Sequence, residues 1–376
     1  MSYFALLLLN VVLSTFASAS PAQNLLSSPS IPGANSRFFD VQAHRGGRGN
    51  TVESTLPSFA WGLVDGVTTL ELDNGITSDG QIIVWHDEEI TPEKCLDTSP
   101  VAPEDPMFPY VGKLIVNLTL AQIKTLDCGS KRQADYPQQL LYPRSRIPTL
   151  QEVFDFVECA DPSHRMLWNI ESKINARHPS RTAGVHDFVQ KQHAIFTSSP
   201  YYHSITYQSF DWRTLLAMRT LDPTIAISAL IDEETAFMPD NSTSPWLTGL
   251  RLDAFPGPTL SAQIAQAAHA IDADILSPSG TALITYDESY EEGHLTTQAM
   301  IREAHKLGLK VKPWSVNHLN RTEELVSWGV NGIITDHPNV VRRWAKQQGL
   351  PVAPKYPKQR VFSCLEKHAL ELVVHV

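Results

Sequence analysis

Eight short apolar runs, most of them followed by a helical pattern, constrain the fold of this chain more than any other feature. They lie near Phe38–Gln42, Thr68–Asp73, Met166–Glu171, Ser204–Gln208, Thr224–Leu230, Ala273–Leu276, Lys310–Ser315 and Gly332–Thr335. Between them apolar residues recur at helical spacing, as in Leu150–Glu158, Trp212–Thr220, Ala262–Ile271, Thr297–Leu307 and Thr322–Trp328. Strand–helix alternation predicts a parallel α/β fold. Eight such strands predict a closed (β/α)8 TIM barrel, a single domain that a chain of 376 residues can house. An open doubly wound sheet is the alternative, but no GxGxxG or Walker loop follows the first strand.

Some segments stand outside this rhythm. Residues 1–19 read as a secretory signal peptide, with an apolar core from Phe4 to Leu13 and a small-residue cleavage site at Ala17-Ser18-Ala19. Residues 20–36 are rich in Pro, Ser and Asn and read as a flexible leader, so the barrel is expected to occupy 37–350. Residues 88–148 are rich in Pro, Asp and Tyr and hold one clear helix, Thr119–Leu126; they read as an insertion after the second barrel strand. An insertion on the C-terminal side of a barrel overhangs the active site. The tail, 351–376, fits no barrel element, and its apolar end is too short to span a bilayer. The reading is therefore of a mature chain without an integral membrane segment, in the secretory pathway or outside the cell.

A formal charge of -10 argues against nucleic acid as the main partner. The four cysteines are Cys95, Cys128, Cys159 and Cys364, and four allow three pairings. Cys95 with Cys128 is favoured because both belong to the insertion, which leaves Cys159 for Cys364. No cysteine spacing suggests zinc. Glycosylation sequons stand at Asn117, Asn241 and Asn320.

The chemistry concentrates between Ala43 and Asp87. A first strand ends in His44 and Arg45, and a helical pattern follows from about Glu53 to Val64. In the next strand Glu71 and Asp73 share one face, while Leu70 and Leu72 share the other. Two carboxylates side by side inside a barrel repel each other, and a hard divalent cation with oxygen ligands removes that conflict. A third apolar run, Gln81–Trp85, delivers His86 and Asp87. Cleaving a phosphodiester needs one group to take a proton from the nucleophile and another to protonate the leaving alkoxide, and His44 and His86 suit that pair.

These motifs, with Glu53, the TSDG turn and the blocks IPTLQEVF, LWNIESK, YQSFDWRTL, VKPWSVN and GVNGIITDHP, resemble the glycerophosphodiester phosphodiesterase family. The resemblance runs from Phe38 to Arg343 and implies a (β/α)8 barrel with an insertion after the second strand. It implies Glu71, Asp73 and Glu171 as ligands of one divalent cation, with Ca2+ and Mg2+ both open. It implies His44 and His86 as the acid–base pair and Arg45 and Lys173 as phosphate contacts; which histidine is acid and which is base stays open, with His44 as base and His86 as acid the first allocation. Glu53 would bind metal from a second layer or orient Arg45, and Trp314 would pack on substrate or in the core. The family usually has Glu-Asn-Thr where this chain has Glu53-Ser54-Thr55; if that residue caps a helix, serine serves. His203, His305 and His318 read as ordinary histidines, and Asp336 as a turn residue closing the last strand.

The implied reaction is metal-dependent hydrolysis of a small-molecule glycerophosphodiester to sn-glycerol 3-phosphate and an alcohol, a step in lipid and glycerol metabolism. Phospholipase D-type cleavage of a lysophospholipid or sphingolipid on the same barrel is the alternative. It calls for an apolar rim or a membrane-facing loop, and the sequence of residues 88–148 shows no clear one. A glycoside hydrolase would use two carboxylates and leave both histidines idle. A binding role usually shows as a lost catalytic group, and none is lost here. Head-group preference and oligomeric state stay open.

Overall fold

The computed structural model describes residues 37–374 apart from 239, 241 and 281–292. The expected signal peptide and leader, and the Asn241 sequon, lie outside the described residues. Among the described residues nine strands form one sheet: β1 (Asp40–Ala43), β2 (Thr69–Ile76), β3 (Ile82–Val84), β4 (Leu167–Ser172), β5 (Ile205–Ser209), β6 (Ala226–Ile231), β7 (Ile275–Pro278), β8 (Lys310–Val311) and β9 (Gly332–Thr335). Eight are parallel, in the order β8-β7-β6-β5-β4-β2-β1-β9, and β3 pairs antiparallel with β2 off this path. The ring is completed by backbone hydrogen bonds from Asn331 to Val311, Ile334 to Pro313 and Val316 to Ile334, of 2.9, 3.0 and 2.9 Å. The expected barrel is therefore present. The expected strand Lys310–Ser315 is regular for only two residues, and Pro313, which has no N–H to donate, stands in the rest of it.

Helices cover the outside, and their starts are written in the sequence. Thr149 caps Leu150–Ala160 by accepting from the Glu152 N–H, while the Glu152 carboxylate returns to the Thr149 N–H. Thr55 and Ser58 do the same for Leu56–Asp65. Outward strand residues such as Leu70, Leu72, Trp168 and Ile170 are buried beneath these helices. The inward positions are polar: Gln42, Glu71, Asn169 and Gln208 are joined by hydrogen bonds from Asn169 to Gln42 and Gln208 and from Gln208 to Glu71.

The insertion has its own small core, with Trp85, Ile90, Tyr110, Ile123 and Leu126 packed around a disulfide between Cys95 and Cys128. Its α-helix is shorter than expected, Leu120–Ile123. The second disulfide joins Cys159 to Cys364. The tail is a barrel-covering element after all: Lys358–Val374 is a helix, and Val361, Cys364 and Leu365 are buried in the main core. Among the described residues no helix is long and apolar enough to cross a membrane.

Candidate active site

The polypeptide leaves β1 in a tight turn over His44–Gly46, where Arg45 has φ 51° and Gly46 φ 81°. A non-glycine residue rarely adopts this left-handed conformation, and such strain gathers at functional sites. A side chain at Gly46 would collide with Ser58 on the following helix. The turn aims the Arg45 N–H at Glu71, 2.8 Å away.

Glu71 and Asp73 lie on the inner face of β2, and the parallel register sets Asp73 beside Glu171 on β4. Ligand atoms of Glu71, Asp73 and Glu171 all lie within 4.8 Å of one another, and all three residues are buried. Burial, then the charge of Asp73, pushes the Glu71 carboxyl well above the ordinary range. Burial raises Glu171 to about 8 even though Lys173 opposes it. Asp73 goes the other way: burial alone would raise it, but His86, Arg45 and Lys173 hold it down. Neither Asp73 carboxylate oxygen has a hydrogen-bond partner. A buried acidic trio in which Asp73 has cationic partners only at 3.5 and 3.9 Å fits a hard divalent cation. The surrounding charges agree. With all six carboxylates ionised, Glu53, Glu71, Asp73, Asp87, Glu171 and Asp336 face Arg45, Arg48, Lys94 and Lys173 with an excess of two negative charges, which one divalent cation would offset.

His44 donates through Nδ1 to Asp336, at 2.6 Å. Asp336 had the role of a turn residue in the sequence reading. It does follow the last strand, but its carboxylate is fully buried and also accepts from Arg48 Nε at 2.8 Å and Asn317 Nδ2 at 2.7 Å. The pair spans 292 positions of sequence, and it forms because β1 and β9 are neighbours in the barrel. No local pattern could have disclosed it. His86 has the same arrangement with its neighbour Asp87, Nδ1 to Oδ1 at 2.9 Å. Its Nε2 faces Lys173 Nζ at 3.1 Å. Burial lowers both histidines. Asp336 partly opposes this at His44, whereas Arg45 and Lys173 depress His86 further.

Arg45 lies between these groups, with NH1 3.0 Å from Glu53 and Nε 3.5 Å from Asp73. Glu53 lies outside the acidic trio, and it also accepts from Lys94 at 2.8 Å and Gln133 at 3.0 Å. Lys173 is held by Glu171 at 2.8 Å. Trp314 is half-buried, meets Phe210 edge to face at 5.2 Å, and donates to the Ser277 carbonyl. Ser54 corrects the sequence reading: Thr55 is the helix cap, and Ser54 sits at φ 55°, a backbone that suits asparagine better, with its hydroxyl buried and without a partner. His203, His305 and His318 are exposed.

A model of the glycerophosphoryl diester phosphodiesterase family matches residues 44–340, from His44 through the Asp336 turn. The chain belongs to that family. A glycerophosphodiester phosphodiesterase of Bacillus subtilis is 26% identical over 336 residues, 88% of this chain and 92% of the relative. A human lysophospholipase D is 33% identical over 137 residues, 35% of this chain and 36% of that one. A protein of Silicibacter pomeroyi described as a glycerophosphoryl diester phosphodiesterase has the same fold, with a TM-score of 0.67 at 24% identity over 84% of this chain and 96% of its own. A phosphodiesterase of Oleispira antarctica, solved with the product sn-glycerol-3-phosphate, superposes with a TM-score of 0.57 at 19% identity over 82% of this chain and 97% of its own. The family places the chain among the phosphoric diester hydrolases, and its members as a class depend on divalent metal.

Proposed function

We propose that this phosphodiesterase hydrolyses glycerophosphodiesters to sn-glycerol 3-phosphate and a free alcohol. The observation that carries this is the convergence of two carboxylate-backed histidines, Arg45 and Lys173 on Asp73 of the acidic trio. Glu71, Asp73 and Glu171 would hold the cation; all-oxygen donors suit Ca2+ or Mg2+. When bound, it supplies Lewis-acid polarisation of a phosphate oxygen. Arg45 and Lys173 bind the remaining phosphate oxygens and offset charge as the transition state forms.

The hydrogen bonds favour allocating the histidines opposite to the first allocation. Lys173 can only donate, so His86 Nε2 carries a lone pair and is ready to accept a proton. His44 is backed by the buried Asp336, which stabilises its protonated form. His86 takes the proton of the glycerol 2-hydroxyl as its oxygen bonds to phosphorus. The bond to the head group breaks, and His44 protonates the departing alkoxide. The product of this half is a 1,2-cyclic phosphate; in the second half neutral His44 takes a proton from water, the water oxygen bonds to phosphorus, the bond from phosphorus to the 2-oxygen breaks, and His86 returns its proton to that oxygen. Holding nucleophile and phosphorus in one molecule favours this route. Full activity on a substrate lacking the 2-hydroxyl would point instead to direct attack by water.

The test is release of glycerol 3-phosphate from glycerophosphocholine with Ca2+, Mg2+ or chelator, beside His44→Ala. Metal-dependent release that His44→Ala abolishes supports the proposal. The human lysophospholipase D match and the exposed Leu96, Val101 and Leu140 of the insertion favour a second reading, cleavage of lysophospholipid. Cleavage of lysophosphatidylcholine without glycerophosphocholine turnover would establish it. We further propose that the enzyme works in the secretory pathway or outside the cell. Both disulfides suit an oxidising compartment, and the Asn117 and Asn320 sequons lie on the surface.

A further inference from the structure

Each histidine is backed by a carboxylate, and each of those carboxylates is held in turn by a side chain of the insertion. Lys94 Nζ lies 2.6 Å from Asp87 Oδ2 and 2.8 Å from Glu53 Oε1. Tyr136 donates its hydroxyl to Asp336 Oδ2 at 3.1 Å. Two more contacts tie the same limb of the insertion to the barrel: Gln133 to Glu53 at 3.0 Å and Gln139 to the Arg48 carbonyl at 2.7 Å. The Arg48 guanidinium lies over the Tyr136 ring at 4.9 Å.

Resting on the proposed roles of His44 and His86, we propose that the insertion is a positioning element of the catalytic centre, with Lys94 and Tyr136 as its positioning residues. Lys94 sets His86 through Asp87 and Arg45 through Glu53. Tyr136 sets His44 through Asp336. Neither touches the reacting atoms, so each acts through a carboxylate.

The two contributions differ in size for a reason visible in the hydrogen bonds. Lys94 is 14% exposed and bridges two carboxylates that repel each other without it. Asp87 has few other holds: beyond His86 and Lys94 it takes a weak 3.3 Å bond from Thr91. Asp336 keeps Arg48 and Asn317 when Tyr136 is lost. Lys94 is also well anchored. The next residue, Cys95, is bonded to Cys128, and Leu96 and Asp127 exchange backbone hydrogen bonds of 2.8 and 3.0 Å. The covalent link and this backbone pair hold the lysine from the insertion side.

The test compares Lys94→Met, Lys94→Arg and Tyr136→Phe in the full chain. Readouts are kcat and KM on glycerophosphocholine, thermal midpoint, and NMR of the histidine ring Nδ1 protons, assigned with His44→Asn and His86→Asn. Lys94→Met is expected to lower kcat by about 10- to 100-fold, the range for partners that orient a site from behind its first layer. It should move the His86 signal and leave the His44 signal in place, and Lys94→Arg should restore most of the rate. Tyr136→Phe should move the His44 signal alone, with a smaller fall in kcat at unchanged KM. Unchanged kcat in both variants overturns the proposal, as do histidine signals that stay still or move together with a lowered thermal midpoint. Selective signal shifts in a protein that hydrolyses no glycerophosphodiester would refute the proposed reaction while supporting the positioning.

Discussion

Glu171→Gln tests the acidic trio without relying on turnover. The ordinary glutamate value is 4.5, and burial raises Glu171 to about 8 in the metal-free protein. A carboxyl that binds its proton more tightly when folded weighs against folding wherever the unfolded chain has already released it. The contribution is therefore absent below pH 4.5. It grows as pH rises and levels off above about 8. At pH 7 the interval of 2.5 units corresponds to about 3 kcal/mol. Glutamine has nearly the shape of the protonated acid and no charge at any pH, so metal-free Glu171→Gln should be more stable than wild type by about 3 kcal/mol at pH 7 and by nothing near pH 4. Denaturant unfolding in chelator across pH 4 to 8 reads the difference. Added Ca2+ or Mg2+ should reverse the order, because the cation stabilises the wild type and has lost a ligand in the variant. A metal-free variant that is less stable at pH 7, or a difference that does not change with pH, would refute the argument that these acids are in conflict without a cation.

Other outcomes follow from the same geometry. The rate should rise with pH as His86 loses its proton and fall as His44 loses its own; both are lowered by burial, His86 further, so the optimum of kcat/KM should lie below pH 6.5, and a plateau above pH 8 would exclude this pairing. Asp336→Asn should lower kcat by roughly 10⁴-fold while the fold survives, as expected when a histidine loses the carboxylate that fixes its tautomer; a near-normal rate would return Asp336 to a purely structural role. Replacing Cys159 and Cys364 together by alanine opens a loop of 205 residues, for which chain entropy gives about 5 kcal/mol and native disulfides commonly give about 2–4. Equilibrium unfolding should show that loss with kcat unchanged, and an unmoved midpoint would show that the C-terminal helix is held by packing alone.

Much of the site was legible because it obeys short periods. The alternation along a strand is two residues, so Glu71 and Asp73 had to share a face. The barrel itself was legible in the repeated switch between strand and helix periods. Boundaries were less so. Pro313 cut β8 to two residues, and Thr55 rather than Glu53 opened the first helix. The tail looked foreign to the barrel because its few buried residues, Val361, Cys364 and Leu365, have meaning only against helices at Leu56 and Leu150.

The order of residues alone was enough to specify the barrel, the acidic pair on β2, the two histidines at strand ends and the arginine beside them. These follow from local spacing, which backbone geometry converts directly into faces and ends. What stands behind those groups depends on how the chain closes in three dimensions. Asp336 reaches His44 because the last strand closes against the first. Lys94 and Tyr136 reach the two carboxylates because the insertion folds back over the strand ends. Those partners lie up to 292 positions away, and no periodic pattern relates residues that only chain closure brings within hydrogen-bond distance.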